Sequence, residues 1–219
     1  MERFQVSQTD SGLHLEGFPD AVKIIRVDGP HAKRLADLAL HDSDLEFAAM
    51  CLEAINQSPE EPPVLRQALW RAAIVHFMKC FGDSARFQLS EKKIYKGNPT
   101  ALTVFAYFKD LRNKHFVHDE NSYAQSLPGA VLNNGTKSFK IEKIVCFNVI
   151  GDTLDQEHYG NLSLLIQEAR TWVAAEVDAL CESITTDLEA ETHERLLSRD
   201  SVTISVPKIE ETGKRRTAP

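Results

Sequence analysis

The residues best suited to chemistry lie together in Asp110-Leu111-Arg112-Asn113-Lys114-His115-Phe116-Val117-His118-Asp119. An arginine presents a fixed fork of donors that fits phosphate or carboxylate oxygens. A histidine moves protons near neutral pH. The stretch closes a segment that reads as a helix from about Thr100. With Val104 as zero and about 100° per residue, Phe108, Leu111, His115 and His118 fall within roughly 40° of one line. Asp119 falls near 60° and Arg112 near 80° on the same wheel. One stripe is therefore apolar for two turns and then becomes polar. A guanidinium, two imidazoles and a carboxylate on such a stripe must be paired, hydrated at an interface, or used.

The plainest account is that Arg112, Lys114, His115 and His118 are cations near a helix C-terminus, where each gains about 0.3–1 kcal/mol from the macrodipole. A metal site is a further option, because His115, His118 and Asp119 stand at i, i+3 and i+4. No fourth ligand is visible, so no metal or other cofactor is expected.

The run Arg-Asn-Lys-His-Phe-Val-His also resembles the motif of the HEPN superfamily. There an arginine, followed at once by a polar residue, precedes a histidine near the end of a helix. The resemblance falls on Arg112, Asn113 and His118, and the order of helices over roughly residues 30–190 fits it. It implies a mainly α fold, a HEPN-like helical bundle, and RNA cleavage without a metal. His118 would then be the acid or base, Arg112 the phosphate clamp, and Asn113 a group that positions the scissile phosphate. The products would carry 2′,3′-cyclic phosphate. The family is typically dimeric, so the resemblance implies a homodimer through the motif helix, with two Arg/His sets in one cleft. It also implies a setting like toxin–antitoxin or abortive-infection systems, with an antitoxin protein as a partner. The rival expectation is a HEPN-type module that binds a nucleotide, RNA or protein and cleaves nothing. His115 is a second proton-transfer candidate. Tyr123 is a weaker one, five residues after His118.

Charge supports an RNA partner locally. The chain of 219 residues carries a formal −7, which argues against a general nucleic-acid coat. Between Ser84 and His118, however, seven cations face two anions, a net +5 that leaves −12 elsewhere. Lys92, Lys93, Lys109, Lys114 and His115 are the candidate RNA contacts beside the motif.

These residues need positioning elements. Alternation in Phe4–Ser7 and Leu13–Glu16, and the β-rich run Ala21–Val27, read as short strands, an N-terminal β extension over 1–28. A helical domain over 29–190 follows. Pro30 opens its first helix, which runs to about Asn56, with Ser43-Asp44 as an internal cap or a polar dip. The most apolar helix spans Pro63–Phe81, with His76 a satisfied core residue. Ser84–Pro99 is a basic connection with one helical turn, and Asn98-Pro99-Thr100 caps the motif helix. Gly129–Leu132 and Ser138–Val149, around Asn133-Asn134-Gly135, form a β-hairpin insertion at about 129–150, its second strand partly buried on both faces. A long helix at about Asp155–Leu188 carries Trp172 as a core anchor. The tail, 191–219, holds one strand-like piece at Val202–Val206. With 42% hydrophobic residues the chain can bury a proper core. It has no apolar run of about eighteen residues, so no transmembrane helix and no membrane partner are expected. Cys51, Cys80, Cys146 and Cys181 read as buried, reduced thiols of a cytoplasmic protein.

Overall fold

The computed structural model describes residues 6–9, 12–57, 62–118, 120–204, 206 and 208–214. Its architecture is mainly helical, with two antiparallel hairpins. In chain order these are β1 (Val6–Thr9), β2 (Gly12–Leu15), α1 (Pro30–Gln57), α2 (Pro63–Lys79), α3 (Glu91–Ile94) and α4 (Pro99–Leu111). A π-helical turn follows at Arg112–Val117, then β3 (Ala124–Leu132), β4 (Ile141–Ile150), α5 (Gln156–Glu189), α6 (His193–Ser198) and a 3-10 turn at Ile209–Glu211. Contacts divide the chain into two compact units.

One unit comprises Met1–Glu46, Cys80–Leu89 and Ala169–Pro219. Its apolar core includes Leu38, Leu45, Leu89, Val173 and Val177. A polar network ties the 80–89 loop to α1. Arg86 reaches Asp44 at 2.7 Å, the Phe87 N–H donates to Asp37 at 3.2 Å, and His41 Nε2 lies 2.8 Å from the Phe87 carbonyl. Burial holds the His41 imidazole below its usual pKa. Asp44 is therefore used inside this network, and α1 runs unbroken through Ser43, whose hydroxyl bonds back to the Ala39 carbonyl at 3.1 Å. Arg86 is buried as well, so it leaves the expected basic surface. The expected strand at 21–27 is reduced to one bridge, Ile25 to Ser201, flanked by Val202 N–H to Ile24 O at 3.0 Å. The tail thus meets the N-terminal segment at a bridge, while the expected strand includes Ser205, which lies outside the described residues. Phe4 and Gln5 lie outside them too. Helix α6 went unforeseen; Thr192 caps it through the Arg195 N–H.

The other unit comprises Phe47–Lys79 and Ser90–Glu168, and it holds every motif residue. Trp70, Ile74, Phe77, Tyr95, Phe105, Phe108, Leu162 and Ile166 form its core. Trp70 meets Phe108 edge-on at 6.0 Å, and Phe77 meets Phe105 at 6.0 Å, which fixes α2 against α4. An indole of this size buries about 150–250 Å², about 4–6 kcal/mol of transfer free energy at 25 cal/mol per Å². The Tyr95 hydroxyl donates to the Leu165 carbonyl at 3.0 Å and ties the α3 end to α5. His76 is half-buried against Phe47, with ring centroids 4.4 Å apart.

Three expectations are corrected here. Trp172 is half-buried, and Trp70 is the fully buried indole. Cys51 and Cys80 are buried, but Cys146 and Cys181 are exposed. The hairpin begins at Ala124, five residues earlier than Gly129, and β4 is exposed on both faces except at Val145. An apolar strand does not have to be covered by its own chain.

Candidate functional site

Helix α4 begins as its sequence requires. Asn98 accepts from the Ala101 N–H at 3.0 Å, and Pro99 takes the first helical position, where no N–H is needed. Phe105, Phe108 and Leu111 face the core. The helix then widens into the i→i+5 turn Arg112–Val117. Such turns insert one extra residue into the ladder and occur often at functional sites. The Glu120 N–H closes the end on the Lys114 carbonyl at 2.9 Å.

This turn redistributes the motif. His115 stays on the buried stripe at 9% exposure, its ring 5.5 Å from Tyr123 and 5.2 Å from Phe116. His118 does not continue the stripe. Its backbone is extended (φ −130°, ψ 140°) and its side chain is exposed, so the helical placement of His118 is corrected. Asp119 lies outside the described residues. Arg112 is half-buried, and its Nη1 donates to Asn113 Oδ1 at 2.7 Å. Its Nε is buried with no hydrogen-bond partner among the described residues. A buried unpaired donor on a cation is costly.

The expected basic residues are placed separately. Lys114 is exposed and pairs with Asp110 at 3.1 Å. Lys109 is exposed on α4, and Lys92 and Lys93 are exposed on α3. Half-exposed pairs such as Lys114–Asp110 contribute about 0.3–0.5 kcal/mol, so Lys114 is readily released to an incoming anion.

Residues distant in sequence complete the cluster. Tyr107 stacks on His158 at 4.7 Å with 22° between planes. His158 Nδ1 lies 2.6 Å from Asp155 Oδ2, and the His158 N–H reaches Asp155 Oδ1 at 2.7 Å. Those bonds, the backbone one first, hold the Asp155 carboxyl below its usual range. The Tyr107 hydroxyl is buried near that of Tyr123 without a hydrogen bond of good geometry. Burial first, and then Tyr123, pushes its pKa up to about 12. Tyr123 packs so closely on the chain that a side chain at Gly151 would meet its ring at 2.8 Å. The Arg71 guanidinium sits 5.1 Å over the Phe116 ring. His158 and Arg71 escaped the sequence reading. The one local signal was Asp155-x-x-His158, a helix N-cap spacing that places an aspartate beside a histidine.

No family model, curated protein or solved structure matches the chain. The site is therefore read on its own geometry. It offers an arginine anchored by a neighbouring amide, an exposed histidine at the end of a π-turn, and buried His115 in contact with the exposed Tyr123 ring. Among the described residues, no helix is long and apolar enough to cross a membrane.

Proposed function

We propose that the chain is a metal-independent endoribonuclease of the HEPN type, with Arg112, Asn113 and His118 at its centre. The observation that carries this reading is the 2.7 Å bond from Arg112 Nη1 to Asn113 Oδ1, made in a π-turn that ends on exposed His118. Metal-free RNA cleavage needs a base for the 2′-hydroxyl, an acid for the leaving 5′-oxygen, and positive charge on the phosphorane-like transition state. Arg112, fixed by Asn113, supplies the charge. His118 supplies proton transfer. Lys109, Lys114, Lys92 and Lys93 attract the RNA backbone, so affinity should fall as salt rises. His115 acts from inside by packing the turn against Tyr123.

One exposed histidine per chain is thin for two proton transfers, from the 2′-hydroxyl and to the leaving 5′-oxygen. A second copy, docked through the motif helix, would bring a second His118 to the cleft. An antitoxin protein would cover the same exposed turn in the resting complex. The cytoplasm is the compartment where such a nuclease meets its RNA.

A specific observation favours a second reading, a non-catalytic module that binds RNA or a nucleotide. His118 has no hydrogen-bond partner among the described residues, so none of those residues orients its ring. The two readings part on His118→Ala. Under the nuclease reading the variant loses RNA cleavage while its melting temperature and mass in solution stay unchanged. If wild type and variant bind RNA alike and neither cleaves it, the binding module is correct.

A further inference from the structure

The β3–β4 hairpin leaves one feature unused by the motif. Strands β3 and β4 pair only with each other among the described residues. Segment Ile144-Val145-Cys146-Phe147-Asn148-Val149-Ile150 has no charge, proline or glycine. Ile144, Phe147, Val149 and Ile150 are 54–68% exposed. A long, apolar, unpaired strand edge is a template for another chain, and a hairpin alone in water is marginal.

The register shows which edge is open. The Gly151 N–H donates to the Tyr123 carbonyl at 2.7 Å. Hydrogen-bonded pairs therefore recur at Gln125↔Val149, Leu127↔Phe147 and Gly129↔Val145. Pro128↔Cys146 is a pair of the other kind, so the missing proline N–H falls on the outer edge of β3. That edge is interrupted at its middle. The outer edge of β4 presents the peptide groups of Ile144, Cys146, Asn148 and Ile150 without a break.

We propose that β4 pairs antiparallel with β4 of a second copy, making a four-stranded sheet in the order β3-β4-β4-β3. Twofold pairing uses up the two open edges and leaves Pro128 on each outer one, so the sheet itself closes at four strands and does not grow by further strand pairing. Charge selects the direction. A parallel arrangement would set Glu142 on Glu142 and Lys143 on Lys143, whereas the antiparallel one sends these charges to opposite ends of a neutral seam. Hydrogen-bond parity lets the outward residues Ile144, Cys146, Asn148 and Ile150 pair only with one another, and the register proposed here centres on Cys146, which then faces the same residue of the second copy, with Phe147 beside Val145 on one continuous apolar face. Nine paired residues at about 3.4 Å give an edge about 30 Å long and, at about 10 Å thick, roughly 300 Å² per partner. A standard interface buries roughly 800 Å² per side. The seam is thus a weak, concentration-dependent one by itself. It rests on the hairpin alone and stands whether or not the RNA reading holds.

Two measurements test it. Sedimentation across a concentration series should show a reversible dimer for the wild type. Cys146→Pro removes one outward N–H without touching the β3 ladder and should weaken the dimer about tenfold or more. Ala130→Pro, on the outer edge of β3, should leave it unchanged. Mild oxidation of the unmodified chain should give a disulfide-linked dimer, since directly opposed strand residues lie about 5.5 Å apart at Cα. Cys146→Ser should abolish that product and Cys181→Ser should not. A wild type that stays monomeric at every concentration overturns the proposal. So does a dimer indifferent to Cys146→Pro, or a cross-link that survives Cys146→Ser.

Discussion

Replacing Thr153 with valine tests how the motif helix is held. Trp70 is fully buried, and its indole N–H donates to Thr153 Oγ1 at 3.0 Å. Thr153 is itself 3% exposed, so no water can take the place of the hydroxyl. Valine keeps the shape and removes the acceptor. The stranded N–H then costs about 1–3 kcal/mol. At about 2 kcal/mol, and at about 2–4 °C per kcal/mol for a chain of this size, the melting temperature falls by about 4–8 °C. Circular-dichroism melting reads every variant, and Trp70 fluorescence in a Trp172→Phe background reads the unit that carries the bond wherever Trp70 is kept. Thr153→Ser keeps the acceptor and should cost less than valine. In a Trp70→Phe background the valine penalty should shrink, because phenylalanine has no N–H to strand. A coupling below about 0.5 kcal/mol in that cycle, or a serine variant as damaged as the valine one, would show that the hydrogen bond does not anchor Trp70 beneath Phe108.

Other predictions concern the site directly. Gly151→Ala places a methyl 2.8 Å from the Tyr123 ring. Because Tyr123 is 38% exposed and can yield, the cost should sit near the low end of overpacking, about 1 kcal/mol by denaturant midpoint; Tyr123→Ala should relieve it. The Tyr107 phenol, raised to about 12 by burial, stays protonated longer in the fold than in the unfolded chain. Its contribution to stability is therefore complete below pH about 10 and lost as pH rises through about 12. Ultraviolet titration should show a late phenolate step that Tyr107→Phe removes. Arg112→Lys loses the planar fork that reaches Asn113, and RNA cleavage should fall about 10²–10³-fold with little change in melting temperature.

What the sequence revealed was mostly local. Pro30, Pro63 and Asn98-Pro99 mark helix starts because their effects act within one turn. The Asn133–Gly135 turn was equally plain, since Gly135 must take a positive φ, here 81°. Properties set by distant partners stayed hidden. Ser43-Asp44 could be a cap or a polar dip in one helix, and the choice turned on Arg86, more than forty residues away, which takes up the Asp44 carboxylate in an unbroken α1. His118 was placed by a fixed angle per residue, and the π-turn at Arg112 changed that angle. The turn is held by His115 packing on Tyr123, which no local pattern encodes. His158 entered the cluster by stacking on Tyr107 across fifty-one positions. The alternation of β4 promised partial burial on both faces, yet among the described residues only Val145 is partly covered.

The most direct test of the central claim is incubation of the wild-type protein with a mixed RNA substrate in excess EDTA, with the product ends identified. The account predicts cleavage that ignores the chelator and leaves 2′,3′-cyclic phosphate. A folded, monodisperse preparation that leaves the RNA intact, or that cuts only when a divalent metal is restored, would contradict it.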